Sequence, residues 1–550
     1  MRGHLRGVAL AAAVTSLAGA SLLARDARAG GLYFSERGVR PLARGGAFVA
    51  GADDLGALWY NPAGLVDAQG TMMADAAFML FSADYQRETQ VIDGAGAVQT
   101  YKYPSVHGDT PPLAIPTLAL ALPVGSERRL TVGAGVYAPY SPLLQWPETL
   151  DDGSPSPSRY SLISLQGSLL AVVEAFAAYK ISDEWRIGAG LQLLTGVFQS
   201  TVDLGAAPPG VLAAPQDPNY DALSRTRAMI ATPSGNLGVT WVPSQYVRFG
   251  LAGQLPYWID APGSVRVRLP TAAIFDGASQ SGEDANVKFR LPGELRAGVE
   301  VRPVPQLRVE LSYERQFWSL HDTIDITPSG VALVNVTALP SPYYIPKISI
   351  QRHFQDTNSV HLGGEYRVVD GDSTKVDLRA GFGYESSAIP TEYVSPLTID
   401  GDKFTFAGGV GLTFGRARFD ATFAYVYMPD VYVPPGKAAL EVINPVQGYP
   451  PPPGPPSGTV NGGTYHVTAP IIGLGFQYAF DVAPAAPATK PEPKPEPKPE
   501  ETKPPPPPEP KVEPEKPKPD AAEEAPPPAP EEKPGKKPHK KKKKKPQHTD

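Results

Sequence analysis

The residue types that most often carry out catalysis are present in this chain, but their spacing predicts no catalytic site. The sequence contains no G-x-S-x-G, H-E-x-x-H or phosphate-loop motif, so the common nucleophilic, zinc-dependent and phosphoryl-transfer enzymes are not indicated. Its eight histidines are scattered. His353 and His361 share one face of a predicted strand, but at 3.3 Å per residue they would lie roughly 26 Å apart, too far to bind one metal ion. We therefore expect neither an enzyme nor a resident cofactor.

The composition excludes several other classes of protein. The absence of cysteine rules out disulfides and cysteine-ligated metals. The net charge is −6, but residues 484–550 hold 16 Lys against 13 Asp or Glu, so the rest of the chain carries −9. An acidic body of this kind argues against a nucleic-acid partner. No stretch after residue 30 holds eighteen consecutive apolar residues, which excludes a multi-span helical membrane protein.

The first 29 residues predict a signal peptide. Arg2 and Arg6 precede an apolar run over residues 8–23, and Ala27-Arg28-Ala29 fits a small-x-small cleavage site. We expect cleavage after Ala29; an uncleaved anchor is the alternative. Either form would export the body of the chain.

In the body of the chain, whose elements must position any functional residues, apolar residues alternate with polar ones with a period of two. Apolar side chains face one way and polar or glycine residues the other over several segments, for example Leu307, Val309, Leu311 and Tyr313 against Arg308, Glu310, Ser312 and Glu314. This pattern is typical of a β-strand with one apolar face. By itself it fits a soluble β-sandwich as well as an outer-membrane barrel.

The predicted connections favour the barrel. We expect about fourteen strands, beginning near residues 71, 113, 130, 160, 184, 225, 246, 284, 306, 349, 374, 402, 416 and 468. Long connections alternate with short turns, and the long ones would start near residues 84, 139, 201, 255, 319, 386 and 428. Short periplasmic turns and long outer loops are typical of outer-membrane barrels. The sequence therefore predicts an all-β fold, a transmembrane antiparallel β-barrel over residues 71–482, in the bacterial outer membrane.

A segment unlike the strands, residues 30–70, precedes the barrel. It contains Ala52-Asp53-Asp54 and then Asn61-Pro62-Ala63-Gly64-Leu65. This run resembles the N-terminal hatch of the FadL/TodX family of outer-membrane transporters for hydrophobic compounds. Motifs in order along the chain extend the resemblance to residues 31–480, among them Val132-Gly133-Ala134-Gly135-Val136-Tyr137-Ala138-Pro139.

The resemblance implies a fourteen-stranded monomeric barrel plugged by the hatch. It implies passive transport of long-chain fatty acids or other hydrophobic small molecules, which are captured by the outer loops, passed to a pocket at the hatch and released sideways through the wall. Candidate ligand-binding residues are Leu32, Phe34, Phe48, Leu58 and Trp59, although each could equally be hatch core. Asn61, Pro62 and Ala63 would form a supporting turn, and Gly133, Gly135 and Pro139 would weaken the third strand where the wall opens.

Polar residues of the lumen are expected to be mostly solvated, including Arg308, Glu310, Arg379 and Asp420. One or two basic residues there could bind a carboxylate head group, but the sequence does not indicate which. The polyproline stretch at residues 450–456 departs from the family pattern in an outer loop, which leaves the choice between fatty acid and other hydrophobic substrates open.

The last segment, residues 483–550, predicts a disordered periplasmic tail. It holds 23 of the 64 prolines and has six consecutive lysines near its end, Lys540, Lys541, Lys542, Lys543, Lys544 and Lys545. Such a composition cannot bury a core. The lysines could contact peptidoglycan or the inner-membrane surface, or the tail could simply be a solubilising extension. Two alternative functions therefore stay open: a general diffusion porin for polar solutes, and a structural tether between the outer membrane and the cell wall.

Overall fold

The computed structural model describes residues 37–108, 113–138, 145–208, 216–337, 339–447 and 459–481. Five sets of predictions lie outside these residues: the signal peptide, the tail with its terminal lysines, the ligand-binding candidates Leu32 and Phe34, Pro139 of the third strand, and the polyproline stretch.

The described residues are mostly β-strand, with a few short helices near the N-terminus. The helices there are α1 (Val39–Ala43), α2 (Ala57–Tyr60) and a 3₁₀ helix (Pro62–Ala68). The strands are β1 (Thr71–Met79), β2 (Ser82–Ile92), β3 (Val98–Gly108), β4 (Leu113–Val124), β5 (Leu130–Tyr137), β6 (Leu169–Lys180), β7 (Trp185–Gly205), β8 (Asp221–Ser244), β9 (Val247–Gln254), β10 (Tyr257–Arg268), β11 (Ser279–Ser281), β12 (Asp284–Leu291), β13 (Glu294–Val304), β14 (Leu307–Gln316), β15 (Thr323–Pro328), β16 (Ala332–Val334), β17 (Tyr343–Tyr344), β18 (Ile348–Gln351), β19 (Thr357–Asp370), β20 (Thr374–Glu385), β21 (Lys403–Phe414), β22 (Ala417–Tyr427), β23 (Val431–Val433) and β24 (Gly463–Ala479). Four further 3₁₀ turns occur at Pro218–Tyr220, Ala273–Phe275, Trp318–Leu320 and Thr391–Tyr393.

Consecutive strand segments combine into a closed antiparallel barrel. Within the described residues it has fourteen strands, because pairs such as β1 with β2 and β9 with β10 follow one another along a single barrel strand. The barrel closes where β1 pairs with β24, with Thr71 opposite Ala479. The predicted fold class is thereby confirmed.

The period-two alternation places apolar side chains on the outside. On β14, Leu311 is 49% exposed, whereas its neighbour Glu310 is fully buried. The outward apolar side chains form a belt around the barrel, here called the apolar band. On β8 it runs from Trp241 to Met229, and the indole of Trp258 on β10 lies at its upper edge.

The barrel has a short-turn end and a loop end. Six short turns join neighbouring strands at residues 125–129, 181–184, 245–246, 305–306, 371–373 and 415–416, so short and long connections alternate. At the other end, three predicted long loops are partly wrong. The region from residue 84 to 112 contains the paired strands β2 and β3, and the strand segments β10 and β15 occupy parts of the loops predicted from residues 255 and 319. On β10 and β15 the apolar face points inward and the polar face outward, the reverse of the strands in the apolar band.

The strand predicted near residue 160 begins later than expected, because β6 starts at Leu169. The segment before it folds into the barrel, with Trp146, Tyr160 and Leu162 buried. Apolar residues of this segment therefore pack inside the barrel rather than in its wall.

Residues 37–69, here called the hatch, lie inside the barrel. Between residues 37 and 66 every residue except Asp53 is buried. The two short helices cannot be stable alone, so their position depends on contacts with the wall. None of the helices among the described residues is long and apolar enough to cross a membrane.

Candidate functional site

The hatch is fixed to the wall by buried ion pairs. Arg40 of α1 lies 2.6 Å from Asp53, 3.0 Å from Asp54 and 2.9 Å from the Glu365 carboxylate of β19. On β14, Arg308 pairs with Asp53 at 2.6 Å and also donates to the carbonyl oxygen of Gly51. The hatch and the wall therefore share these charges.

A carboxylate of the wall also holds the hatch backbone. Glu310 on β14 accepts hydrogen bonds from the amides of Val49, Ala50 and Gly51 and pairs with Arg44 at 3.2 Å. Converging amides and a guanidinium satisfy the buried carboxylate.

The expectation that the lumenal charges are solvated is therefore wrong. Arg308, Glu310, Arg379 and Asp420 are all at least 90% buried, and Arg379 lies 2.7 Å from Asp420. The hatch excludes the water that an open lumen would supply. A polar cavity of about 320 Å³ remains beside these pairs, lined by Arg40, Asp53, Arg308 and Glu365 among others.

Glycine on the wall lets the hatch backbone approach closely. A Cβ atom on Gly381 of β20 would lie 2.0 Å from the carbonyl carbon of Arg44. This contact is backbone against backbone, so no side-chain rotation could relieve it.

The Asn61-Pro62-Ala63 turn begins the 3₁₀ helix of the hatch. The Asn61 carboxamide oxygen accepts from the amide of Ala63 at 3.1 Å, which caps the helix. Its Nδ2 group donates to the carbonyl oxygen of Val49 at 2.9 Å and to the Thr240 hydroxyl of the wall at 3.1 Å. Asn61 thus joins two parts of the hatch to β8.

Three of the predicted ligand-binding residues can be placed. Phe48 packs within the hatch, edge-on to Tyr60 with ring centroids 5.8 Å apart and beneath the guanidinium groups of Arg40 and Arg44. Leu58 and Trp59 instead face the third barrel strand, β5. The Trp59 ring lies 5.7 Å from that of Tyr137, the last residue of the strand.

Of the two described glycines of β5, Gly135 faces the hatch. A Cβ atom on Gly135 would lie 2.7 Å from the Leu58 side chain, and one on Gly133 would lie 2.0 Å from the Leu120 carbonyl oxygen. Glycine at these positions therefore brings the third strand close to its neighbours. The structure brings Leu58 and Gly135 together, as well as Trp59 and the end of β5, whereas Phe48 lies apart from them.

A polar cluster that the sequence did not indicate lies beside this contact. Glu174 of β6 is fully buried and accepts hydrogen bonds from the Tyr137 hydroxyl at 2.8 Å, Gln192 at 2.9 Å and Asn236 at 3.2 Å. Asn236 also donates to the Leu58 carbonyl oxygen at 2.8 Å. The cluster therefore links the end of β5 to the hatch.

Pairing with the third barrel strand stops at Tyr137 among the described residues. Residues 117–124 of β4 and 172–179 of β6 pair with β5, but no described strand pairs with residues 113–116 of β4 or 169–171 of β6 on that side. We call these two unpaired edges the wall gap.

Above the hatch, towards the loop end, lies a cavity of about 300 Å³, here called the loop-end cavity. Much of its lining is apolar and includes Val202, Val265, Ile326, Ile348, Ile350 and Leu397. About half of the lining residues are polar, among them Tyr160, Arg352, His353 and one carboxylate, Glu441, which forms no ion pair with Arg352. A cavity that combines apolar surface with a few charged groups can hold a ligand with an apolar body and a polar head.

Arg352 is the unusual member of this lining. Arg352 is the first residue after β18, at the loop end, and is 2% exposed. Its guanidinium lies 4.7 Å above the Phe354 ring and donates a hydrogen bond to the Thr398 hydroxyl. It forms no ion pair with any described carboxylate, and its Nε atom has no hydrogen-bond partner in the described part of the chain. Burial lowers the pKa of Arg352 to about 9, so the guanidinium stays charged at neutral pH.

A second polar group, His321, lies near this arginine. Burial, followed by the charge of Arg352, lowers the pKa of His321 to about 3, so the ring is neutral. Its Nδ1 atom lies 2.6 Å from the Arg290 carbonyl oxygen, whereas no partner for Nε2 exists among the described residues. The sequence predicted neither residue as a ligand contact. The one available signal was that Arg352 lies on the strand predicted near residue 349.

A closed fourteen-stranded barrel with a buried hatch and a cavity above it is the architecture of a plugged outer-membrane channel. The model of the family described as outer membrane protein transport protein (OMPP1/FadL/TodX) matches residues 20–480. The chain belongs to this family, as the resemblance predicted. It is an outer-membrane transport protein, not an enzyme, and its family transports hydrophobic compounds.

Solved structures agree on the fold. The crystal structure of a FadL homologue from Pseudomonas aeruginosa aligns over 82% of this chain and 100% of its own, with a TM-score of 0.64 and 16% identity. The toluene transporter TbuX of Ralstonia pickettii aligns over 81% and 99%, with a TM-score of 0.51 and 18% identity. The toluene transporter TodX of P. putida aligns over 82% and 100%, with a TM-score of 0.53 and 14% identity. No curated protein matches the sequence significantly.

Proposed function

We propose that this protein transports amphipathic carboxylates, such as long-chain fatty acids, across the outer membrane. The observation that carries the proposal is Arg352, a buried cation without a carboxylate partner among the described residues, in a cavity with apolar surface. A buried charge is costly unless it is paired, and an acid with a hydrocarbon chain would supply both the anion and the apolar surface. A neutral hydrocarbon would leave the charge uncompensated.

The proposed route continues from the loop-end cavity to the hatch and then through the wall gap. Leu58 and Trp59 supply apolar surface beside the end of β5, and the gap begins above the Tyr137 ring that Trp59 contacts. The ion-paired hatch argues against the alternative of a general diffusion porin, because it fills the lumen with buried residues.

Uptake of paired substrates tests the proposal. A deletion strain would be complemented with the native chain, with Arg352→Met or with Arg352→Lys, and given labelled hexadecanoate or hexadecane. We expect Arg352→Met to lower acid uptake about 10–100-fold, the size of a lost charge-assisted hydrogen bond. Hexadecane uptake should not change, and Arg352→Lys should restore part of the acid uptake.

Arg315→Met is the matched control, because Arg315 also lies at the loop end but is paired with Asp356 at 2.9 Å and is partly exposed. If both Arg352 variants take up acid normally, Arg352 does not bind the head group. If uptake of neither substrate depends on the protein, the transport proposal fails. Lateral release is tested separately with Ala171→Trp at the edge of the wall gap, which should reduce uptake but leave ligand binding in the cavity unchanged.

A further inference from the structure

Basic side chains are concentrated on one sector of the outer surface, just above the apolar band. On β8 the outward residues change from Met229, within the band, to Arg227 and Arg225. On β12, two strands further round, the outward residues beyond the band are Arg290 and Lys288, and Arg290 lies directly opposite Trp258 of β10. We call these four basic residues and Arg266 of β10 the loop-end basic patch.

The patch holds more positive charge than the described residues neutralise. Lys288 pairs with Asp260 at 2.9 Å and Arg266 with Glu283 at 2.7 Å. Arg225, Arg227 and Arg290 are exposed, and none of them forms an ion pair with another described residue. Arg225 also stands directly opposite Arg266 on the neighbouring strand, an arrangement that is unfavourable unless an anion lies between the two side chains.

The corresponding height on the opposite side of the barrel has a different character. Seven strands away, β2, β3 and β24 present Asp84, His107 and His466 outward, and Asp84 lies opposite both histidines. His107 is 2.8 Å from Asp84 and His466 is 2.7 Å from Asp430. The excess of arginine on β8, β10 and β12 therefore has no counterpart in this opposite sector.

The position of the patch determines which partner it can meet. Aromatic side chains mark the level of lipid head groups, and Trp258, 68% exposed, lies beside Arg290 at the edge of the apolar band. The arginines therefore begin where the head groups of the outer leaflet begin. Any anion bound there faces the membrane and not the lumen.

The height of the patch distinguishes between lipids. Arg227 lies opposite Ser264, six residues beyond Trp258 on β10, which is about 20 Å along the strand and about 14 Å in height at a 45° tilt. A phospholipid carries its phosphate at a single depth. A phosphorylated glycolipid, which carries phosphates on a sugar head group and its extension, presents anions at several heights.

We propose that the loop-end basic patch binds the phosphate groups of an outer-leaflet glycolipid. Arg290 beside Trp258 takes the deepest phosphate, and Arg225, Arg227 and Arg266 take phosphates further from the membrane. The guanidinium fork suits phosphate oxygens. This site lies on the outside of the wall and is independent of the transport route proposed above.

Binding of defined lipids to the full-length protein in detergent micelles tests the inference. Native mass spectrometry would measure the affinity for diphosphoryl lipid A that carries its phosphorylated inner-core sugars, here called diphosphoryl lipid A. Monophosphoryl lipid A without those sugars and phosphatidylglycerol would be measured beside it. The triple variant Arg225→Gln, Arg227→Gln and Arg290→Gln should bind diphosphoryl lipid A on the order of 100-fold more weakly, from three lost charge contacts. Monophosphoryl lipid A should bind the native protein more weakly than the diphosphoryl form, and salt should weaken both.

The control triple, Arg129→Gln, Lys375→Gln and Arg416→Gln, removes the same charge at the short-turn end and should bind lipid A within about threefold of the native protein. Equal loss in both triples would overturn the assignment, since binding would then follow net charge alone. Unchanged binding in the patch triple would overturn it as well, as would native affinity for phosphatidylglycerol equal to that for diphosphoryl lipid A. Hexadecanoate uptake should be normal in the patch triple, so a failure here is distinct from a failure of the transport proposal.

Discussion

The hatch and the loop-end cavity each contain a buried arginine, but the two arginines have different partners. In the hatch contact, Arg308 is buried and pairs with Asp53 and with Glu300. In the cavity, Arg352 is buried at least as deeply but has only a hydroxyl and an aromatic ring as partners among the described residues. A buried guanidinium therefore stabilises the structure where the wall supplies carboxylates, and is available to a ligand where the wall supplies none.

The largest effect is expected from breaking the hatch contact. Arg308→Met would leave Asp53 and Glu300 with fewer partners, and loss of one member of a buried ion pair costs about 3–5 kcal/mol. Urea unfolding in detergent should show a loss of this size, and liposome swelling should reveal a leak to small sugars as the hatch loosens. Arg129→Met removes an exposed pair with Glu127 and should cost less than about 1 kcal/mol. Equal losses in the two variants would contradict the role given to burial.

The same substitution in the cavity should have the opposite effect on stability. Arg352→Met removes a charge that has no described carboxylate partner, so we expect the free energy of unfolding to stay unchanged or to rise by about 1 kcal/mol. Urea unfolding of the ligand-free protein measures this directly. A loss as large as that of Arg308→Met would mean that Arg352 has a structural partner, and the comparison between the two regions would fail.

The pH dependence of ligand binding also separates the two regions. Arg352 keeps its charge below a pKa of about 9, whereas a carboxylic acid of the glutamate type is protonated below a pKa of about 4.3. Binding to the cation lowers the pKa of the ligand carboxyl group, so the affinity is fully present above about pH 4.3 and decreases as the pH falls below it. At about pH 3.3 the affinity for the native protein should be about tenfold weaker than at neutral pH. Isothermal titration measures it, and Arg352→Met should show a nearly flat profile. A flat profile in the native protein would exclude carboxylate recognition.

Sequence alone predicted the barrel because outward side chains face lipid and must be apolar. On β14, the exposed Leu311 and Tyr313 therefore alternate strictly with buried polar residues such as Glu310. The hatch was predicted from the resemblance of its Ala-Asp-Asp and Asn-Pro-Ala residues to those of a known family. Partners across the lumen were not predictable. Arg40 and Glu365 are 325 residues apart in sequence, and no local pattern indicates that they meet.

The functional residues were missed for the same reason. Arg352 differs from other inward arginines only in lacking a carboxylate partner among the described residues. This difference depends on residues that are distant in sequence, so no local pattern indicates it. Glu174 was equally hidden, since its three donors come from β5, β7 and β8. The strand extensions β10 and β15 alternate as well, but with the apolar face inward, so the lipid-facing pattern that predicted the barrel stops before them.

The smallest effect is expected from neutralising Glu174, a buried carboxylate held by neutral donors. In Glu174→Gln, the amide oxygen can still accept from Tyr137 and Gln192. The new NH₂ group can donate to the Asn236 Oδ1 atom, which has no partner among the described residues. We therefore expect a change in the free energy of unfolding of less than about 1 kcal/mol. Glu310→Gln is the matched control, because it removes the charge that Arg44 pairs with, and it should cost about 3 kcal/mol or more. Urea unfolding of both variants under one condition makes the comparison. If Glu174→Gln destabilises as much as Glu310→Gln, the Glu174 carboxylate must be paired with a cation. The difference between the ion-paired carboxylates of the hatch contact and the neutrally hydrogen-bonded Glu174 beside the wall gap would then not hold.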